Sequence, residues 1–386
     1  MSKVFRSAAL LSCGLSMILG VAIAAQPAVP EPFRGYDDSS RYKINYDNLT
    51  AALEVVVADV GRSDRQKAPR TTATTGTRMK VKINRSTINE GNRFYFETFV
   101  DNELSKQQLN SIKEGIENAP SQVPLEKLSR DEQLAYWLNL YNVTLLNEIV
   151  KIYPQSDLEK LLYGKNSILE KKLLTVEGVS LSLNDIQFTI LKENYGNNPM
   201  VIYGLHQGII GSPNIRRSAY TGANVHQALA DNAVVFINSN RGTAIKSKKV
   251  FRVSSFYERN AVYFPNFEAD LSAHLLKYLE GDEQAALQAA TTLKSDIDDW
   301  TVTDLGGSTR EIGGSMAMSG AALMGAVSGA SSSNYGGRAV SGTESAVSIN
   351  SALARQVQEN KAGDLETDED QEEAPTEPDP ASEDKQ

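Results

Sequence analysis

LSRDEQLAYWLNLYNVTLLNEIVKIYP, Leu128 to Pro154, decides how this chain folds. Ser129 and Glu132 stand at the spacing of a capping box, in which each side chain satisfies an open amide of the other's turn. Pro154 ends the segment, because it lacks an N–H and drives Tyr153 out of helical geometry. Between these signals Leu134, Trp137, Leu138, Tyr141, Leu145, Ile149 and Ile152 recur at three- and four-residue steps, as on one face of a helix. The other face carries Val143, Leu146 and Val150. A helix that is apolar all round lies inside a domain. Asn139 and Asn142 lie about 60° apart on this rod, and buried amides require partners.

Downstream, Leu173–Val176 and Val179–Leu181 flank Glu177-Gly178, the signature of a tight hairpin. Ser182 and Asp185 repeat the capping spacing and open a helix through Tyr195. Met200–Gly204 is apolar and β-prone, and leads into Leu205-His206-Gln207-Gly208-Ile209-Ile210-Gly211-Ser212-Pro213. The spacing predicts further helices over Asn224–Asn238, Ser255–Asn260, Glu268–Glu280 and Glu283–Leu293, and a hairpin over Ile245–Val253. Upstream, Tyr46–Val60 reads as a helix stopped by Gly61, and Ser105–Glu117 as another. Met79–Ile83 and Arg93–Val100 alternate like two strands of a hairpin. The aromatic cluster Phe94, Tyr95, Phe96 and Phe99 beside Arg93 reads either as a stacking platform or as the buried face of a strand. The expected fold class is α+β: a helix-rich single domain with short hairpins around a buried central helix, spanning residues 36–302.

The flanks differ in kind. Lys3 and Arg6, the apolar run from Ala8 to Ala22 and the small residues Ala22-Ile23-Ala24 make residues 1–25 an expected signal peptide. Residues 26–35 are proline-rich and read as a linker. The sole cysteine, Cys13, would leave with the signal, which removes disulfides, cysteine-ligated zinc and thiol catalysis from the mature chain. Residues 303–362 form a Gly/Ser/Ala-rich low-complexity segment, and residues 363–386 an acidic tail expected to be disordered. The net charge of −9 belongs to that tail, where eleven acids face only Lys385. A near-neutral body points away from nucleic acid and anionic membranes as partners. The expected compartment is periplasmic or extracellular, with no transmembrane helix in the mature chain.

Taken together, the Tyr46 helix, the aromatic-Trp-x-Asn-x-Tyr-Asn run of Tyr136–Asn142, Leu181-Ser182-Leu183-Asn184-Asp185-Ile186, Gly211-Ser212-Pro213, Ala219-Tyr220-Thr221-Gly222-Ala223 and Phe236-Ile237-Asn238 form an ordered pattern. Over about Tyr46 to Leu279 it resembles the domain-of-unknown-function 547 family. The resemblance implies an uncharacterised domain, often exported in bacteria, with a cysteine pair in the loop and a Glu-His pair in the helix after the Leu-Ser-Leu motif. Here Gln207 and Ser212 stand at the cysteine positions, and Gln187 and Phe188 at the Glu-His positions. A Cys-His mechanism is therefore closed to this chain.

Candidate catalytic residues are Ser212, in a glycine-rich turn where amides could cradle an oxyanion, and His206 as its base, with an unidentified acid. The same Gly-Ser-Pro is also an ordinary turn. Tyr136, Asn139, Tyr141, Asn142, Gln207, Arg216 and Tyr220 are the candidates for a binding cleft. Asn139 and Asn142 read equally as clamps on loop backbone. Arg216, with Arg217, can hold an anionic group or remain surface charge, and Asp185 is a general base or simply a cap. His226 and His274 read as ordinary helix residues, and the three histidines lack metal-ligand spacing. No metal or cofactor is expected. Two functions survive: a non-catalytic exported domain binding a small molecule or a cell-envelope ligand, and a serine-dependent hydrolase or acyl transferase.

Overall fold

A computed structural model describes residues 28–67, 86–196 and 198–305. The signal peptide, the low-complexity segment from residue 306 and the acidic tail, together with the Met79–Ile83 strand, lie outside the described residues. The helices are α1 (Asp47–Val56), α2 (Glu103–Asn118), α3 (Arg130–Ile152), α4 (Glu159–Tyr163), α5 (Lys192–Tyr195), α6 (Val225–Ile237), α7 (Ser255–Arg259), α8 (Phe267–Leu275) and α9 (Asp282–Ala289). The strands are β1 (Val57–Ala58), β2 (Arg93–Phe94), β3 (Leu174–Val176), β4 (Val179–Leu181), β5 (Thr243–Ile245), β6 (Val250–Ser254) and β7 (Thr292–Ile297). Helices dominate and the sheets are small, as the α+β reading requires.

α3 is the centre. Every residue from Glu132 to Asn147 is buried. Ser129 caps it by accepting from the Glu132 amide at 3.3 Å. The reciprocal half of the box is not made: the Glu132 carboxylate turns to the amides of Gly222 and Ile44, and burial raises its pKa. A tertiary partner outcompetes the local one because α3 is sealed on that side. α2 packs along α3, and is capped by Asn102, which accepts from the Ser105 amide at 3.0 Å.

The β3–β4 hairpin forms as read, with Glu177 and Gly178 both at positive φ, the backbone of the tight turn. The second capping box is complete: Ser182 N–H donates to Asp185 Oδ2 at 2.6 Å, and Asp185 N–H to Ser182 Oγ at 3.1 Å. It opens a π-helical stretch, Asp185–Leu191, that continues into α5.

Other expectations are corrected. The Tyr46 helix ends at Val56, and β1 pairs antiparallel with β2. The aromatic run after Arg93 does not continue as a strand: Phe96–Phe99 is a 3-10 turn. That turn stacks Phe94 on Phe99 at 5.6 Å and Phe96 on Tyr153 at 5.5 Å, burying aromatics that strict alternation would send to opposite faces. Pro199 starts a 3-10 helix through Gly204 where a strand was expected. The Glu283–Leu293 helix stops at Ala289, and β7 joins β6 in parallel, making the expected hairpin a three-stranded sheet. The proline-rich linker also packs, since Phe33 is buried and meets Trp137 edge-on at 5.0 Å. At the other boundary, burial extends past residue 302 to Thr303 and Asp304, which accepts from the Tyr153 hydroxyl at 2.8 Å.

Candidate functional site

Two amides on α3 position everything around them. A side-chain carboxamide offers one acceptor and a donor, as a peptide group does. Asn142 donates to Gly204 O at 2.8 Å and accepts from His206 N–H at 2.9 Å. One helical turn earlier, Asn139 donates to Tyr220 O at 2.8 Å and accepts from Tyr220 N–H at 2.9 Å. Each asparagine thus serves as one rung of a strand pairing for a loop that has no strand beside it. The clamping alternative for the pair is what the geometry contains.

The loop so held closes over its own polar groups. His206 Nδ1 lies 2.8 Å from Pro213 O. A carbonyl only accepts, so Nδ1 carries the proton and cannot take one from Ser212 Oγ, 3.4 Å away. Ser212 Oγ donates to Ile209 O at 2.9 Å and accepts from Gln207 N–H at 3.1 Å. Ser212 is 0% exposed and His206 1%. Burial lowers the His206 pKa to about 4, with the Pro213 carbonyl opposing. The remaining ring nitrogen faces Thr303 Oγ1 at 3.4 Å, and among the described residues no carboxylate bonds to the ring. The structure therefore brings Ser212 and His206 together, but as a sealed strut inside the turn, without the orienting acid a triad uses.

Arg241 completes the strut. It is 1% exposed, and its guanidinium donates to Ile210 O at 3.2 Å, Ser212 O at 2.7 Å and Asn214 Oδ1 at 2.9 Å. Burial lowers its pKa to about 10, with Glu90 nearby opposing. Sequence reasoning missed Arg241 because it lies in an unremarkable polar turn after α6. Its local signal is Gly242 beside it, where a Cβ would come within 2.0 Å of Phe236 O.

The other cleft candidates separate. Gln207 donates to the Tyr163 hydroxyl at 2.6 Å. The Tyr141 hydroxyl, raised in pKa by burial, reaches Gln187 Oε1 at 3.4 Å, and Gln187 in turn donates to Asn260 Oδ1 at 2.7 Å. Of the positions where the resemblance implies Cys and Glu-His, Gln207 and Gln187 are thus tied into amide–phenol contacts. Tyr136 is buried edge-on to Trp137 at 5.0 Å. His274 stacks on Tyr203, and His226 pairs with Asp131 at 2.8 Å, so neither faces the Ser212 loop. Among the described residues no group of three or more His, Cys, Asp or Glu could hold a metal, and no helix is long and apolar enough to cross a membrane.

Asn139, Asn142, Arg216 and Tyr220 do converge, on a cavity of about 440 Å³ between α1, α2, α3 and the loop Ile215–Tyr220. Its walls are apolar: Leu49 and Leu53 from α1, Leu109 and Ile112 from α2, Leu146 from α3, and Phe99. Tyr136, Tyr141 and Gln207 are not part of it. The volume falls within the roughly 300–1,000 Å³ typical of small-molecule pockets. Sequence reasoning placed the two amides but not the opposing walls, because nothing local says that α1 and α2 enclose a space beside α3.

No curated protein and no solved structure matches the chain. Residues 125–237, from the turn before α3 to the end of α6, match the family model described as "Protein of unknown function, DUF547". The α1 and α2 walls of the cavity lie outside that match. Through this segment the chain is similar to the DUF547 family.

Proposed function

We propose that this domain binds a ligand in the α1–α2–α3 cavity and does not transform it. One observation carries the reading: the preformed apolar space lies beside Asn139 and Asn142, while the Ser212–His206 pair is shut away with its hydroxyl and Nδ1 proton donated to carbonyls. A cavity with a few fixed polar groups on an apolar lining is the usual form of a small-molecule site. The amides at Gln207 and Gln187 support the same reading, since neither supplies a nucleophile or a base. The N-terminal segment supports export, so we place the ligand in the periplasm or outside the cell.

A neutral apolar fluorophore such as N-phenyl-1-naphthylamine tests this directly. It should bind saturably with one site per chain, and Ala52→Trp, which fills the cavity from α1, should abolish binding without unfolding the domain. A fluorophosphonate should leave Ser212 unlabelled. Stoichiometric labelling lost in Ser212→Ala would establish the hydrolase reading instead, and failure of the fluorophore to saturate would remove the cavity as a site.

A further inference from the structure

We infer that the ligand is a single-chain amphiphile with an anionic head, its alkyl chain in the cavity and its head on Arg216; this rests on the cavity being the ligand site. Among the described residues Arg216 is the single charged side chain of the lining, and no carboxylate contributes to it. Its Nη1 is buried with no hydrogen-bond partner. The guanidinium lies 5.0 Å over the Tyr220 ring, a contact that orients the cation without neutralising it. Tyr220 is itself pinned to α3 through Asn139, so the platform under the guanidinium is rigid.

Comparison with Arg241 sharpens the point. Arg241 is buried more deeply, but its N–H groups meet two carbonyls and an amide oxygen. Arg216 carries a desolvated donor with nothing to receive it, a state that costs free energy until an acceptor arrives. A planar guanidinium with open N–H groups favours carboxylate or phosphate over a neutral head. The residue is half-buried, so an anion bound there keeps one side in water, while the apolar walls behind it take an alkyl chain out of water. A cationic amphiphile would meet Arg216 as a like charge.

Displacement of the neutral fluorophore from the full chain tests this, using dodecanoate, dodecyl phosphate, 1-dodecanol and dodecyltrimethylammonium at pH 7.5. The expected result is at least tenfold tighter binding of one anion than of the alcohol, with the cation weakest. Arg216→Gln should bring the anion to the alcohol's affinity, each read as a ratio to the fluorophore affinity of the same variant. Whichever anion binds more tightly identifies the head as carboxylate or phosphate. Equal affinity for anions and alcohol, or an anion preference that survives Arg216→Gln, overturns the assignment while the cavity stands as a neutral site. Loss of fluorophore binding by the unmodified protein removes both readings together.

Discussion

Replacing Asn142 with leucine separates a clamp from a mere filler of space. The side chain is 8% exposed, borders the cavity, and serves Gly204 O at 2.8 Å and His206 N–H at 2.9 Å. Leucine is similar in size but leaves both backbone groups unserved and screens them from water. An unsatisfied buried polar group costs about 1–3 kcal/mol, so the pair costs roughly twice that. Fully burying a leucine side chain returns at most about 1.5–3 kcal/mol, which leaves a net loss near 2 kcal/mol. Alanine behaves differently, since its short side chain opens both groups to the cavity, where water can bond them. The expected order of stability is wild type, then Asn142→Ala, then Asn142→Leu, the reverse of an order set by hydrophobicity. Urea unfolding followed by tryptophan fluorescence reads it, because Trp137 is sealed between Phe33 and Tyr136. At a urea dependence of about 3 kcal/mol per molar, the leucine variant should unfold about 0.7 M earlier. A leucine variant as stable as the wild type, or more stable than the alanine one, would refute the clamp.

Gly208 sits at φ 71°, and a Cβ there would meet Ile149 Cδ1 at 2.2 Å. Gly208→Ala should therefore destabilise by about 1–2 kcal/mol, chiefly through left-handed strain, since Ile149 Cδ1 is the free end of its side chain and can turn aside, and an unchanged melting temperature would contradict the left-handed turn at Gly208. Burial holds His206 and His274 at about 4, against an ordinary value of about 6.5. The unfolded chain takes up both protons first as pH falls, so their contribution is whole above about 6.5 and is lost as pH drops through the folded value near 4. Each histidine withdraws up to roughly 3 kcal/mol over that window, opposed by Glu132, whose raised pKa works the other way. Denaturant titrations at pH 7.5, 6 and 5 should show falling stability, and a flat profile would mean that the imidazoles are not closed from water.

The central helix, its cap at Ser129, the β3–β4 turn and the second capping box were legible in sequence because each is encoded within a few residues. Asn139 and Asn142 were legible as polar exceptions on an apolar rod, with the clamping of loop backbone as one of two readings but not which loop each would hold. Ser212 and His206 illustrate the limit. Six residues apart, they promised a nucleophile and base, yet the direction of each proton is set by Ile209 O and Pro213 O, and the curl of the loop depends on Arg241 from beyond α6. The strand after Arg93 failed for a related reason, since its partner is Val57–Ala58 and its aromatics answer to Tyr153.

Sequence by itself determined that a sunken helix with two amides organises an α+β domain, because burial periodicity and end signals act over one or two turns of chain. Only the tertiary structure decided that the amides grip loops, that the serine is enclosed and that an open space lies between α1, α2 and α3. Those outcomes depend on which distant surfaces meet and how completely they fill the space between them, and no short stretch of residues carries that information.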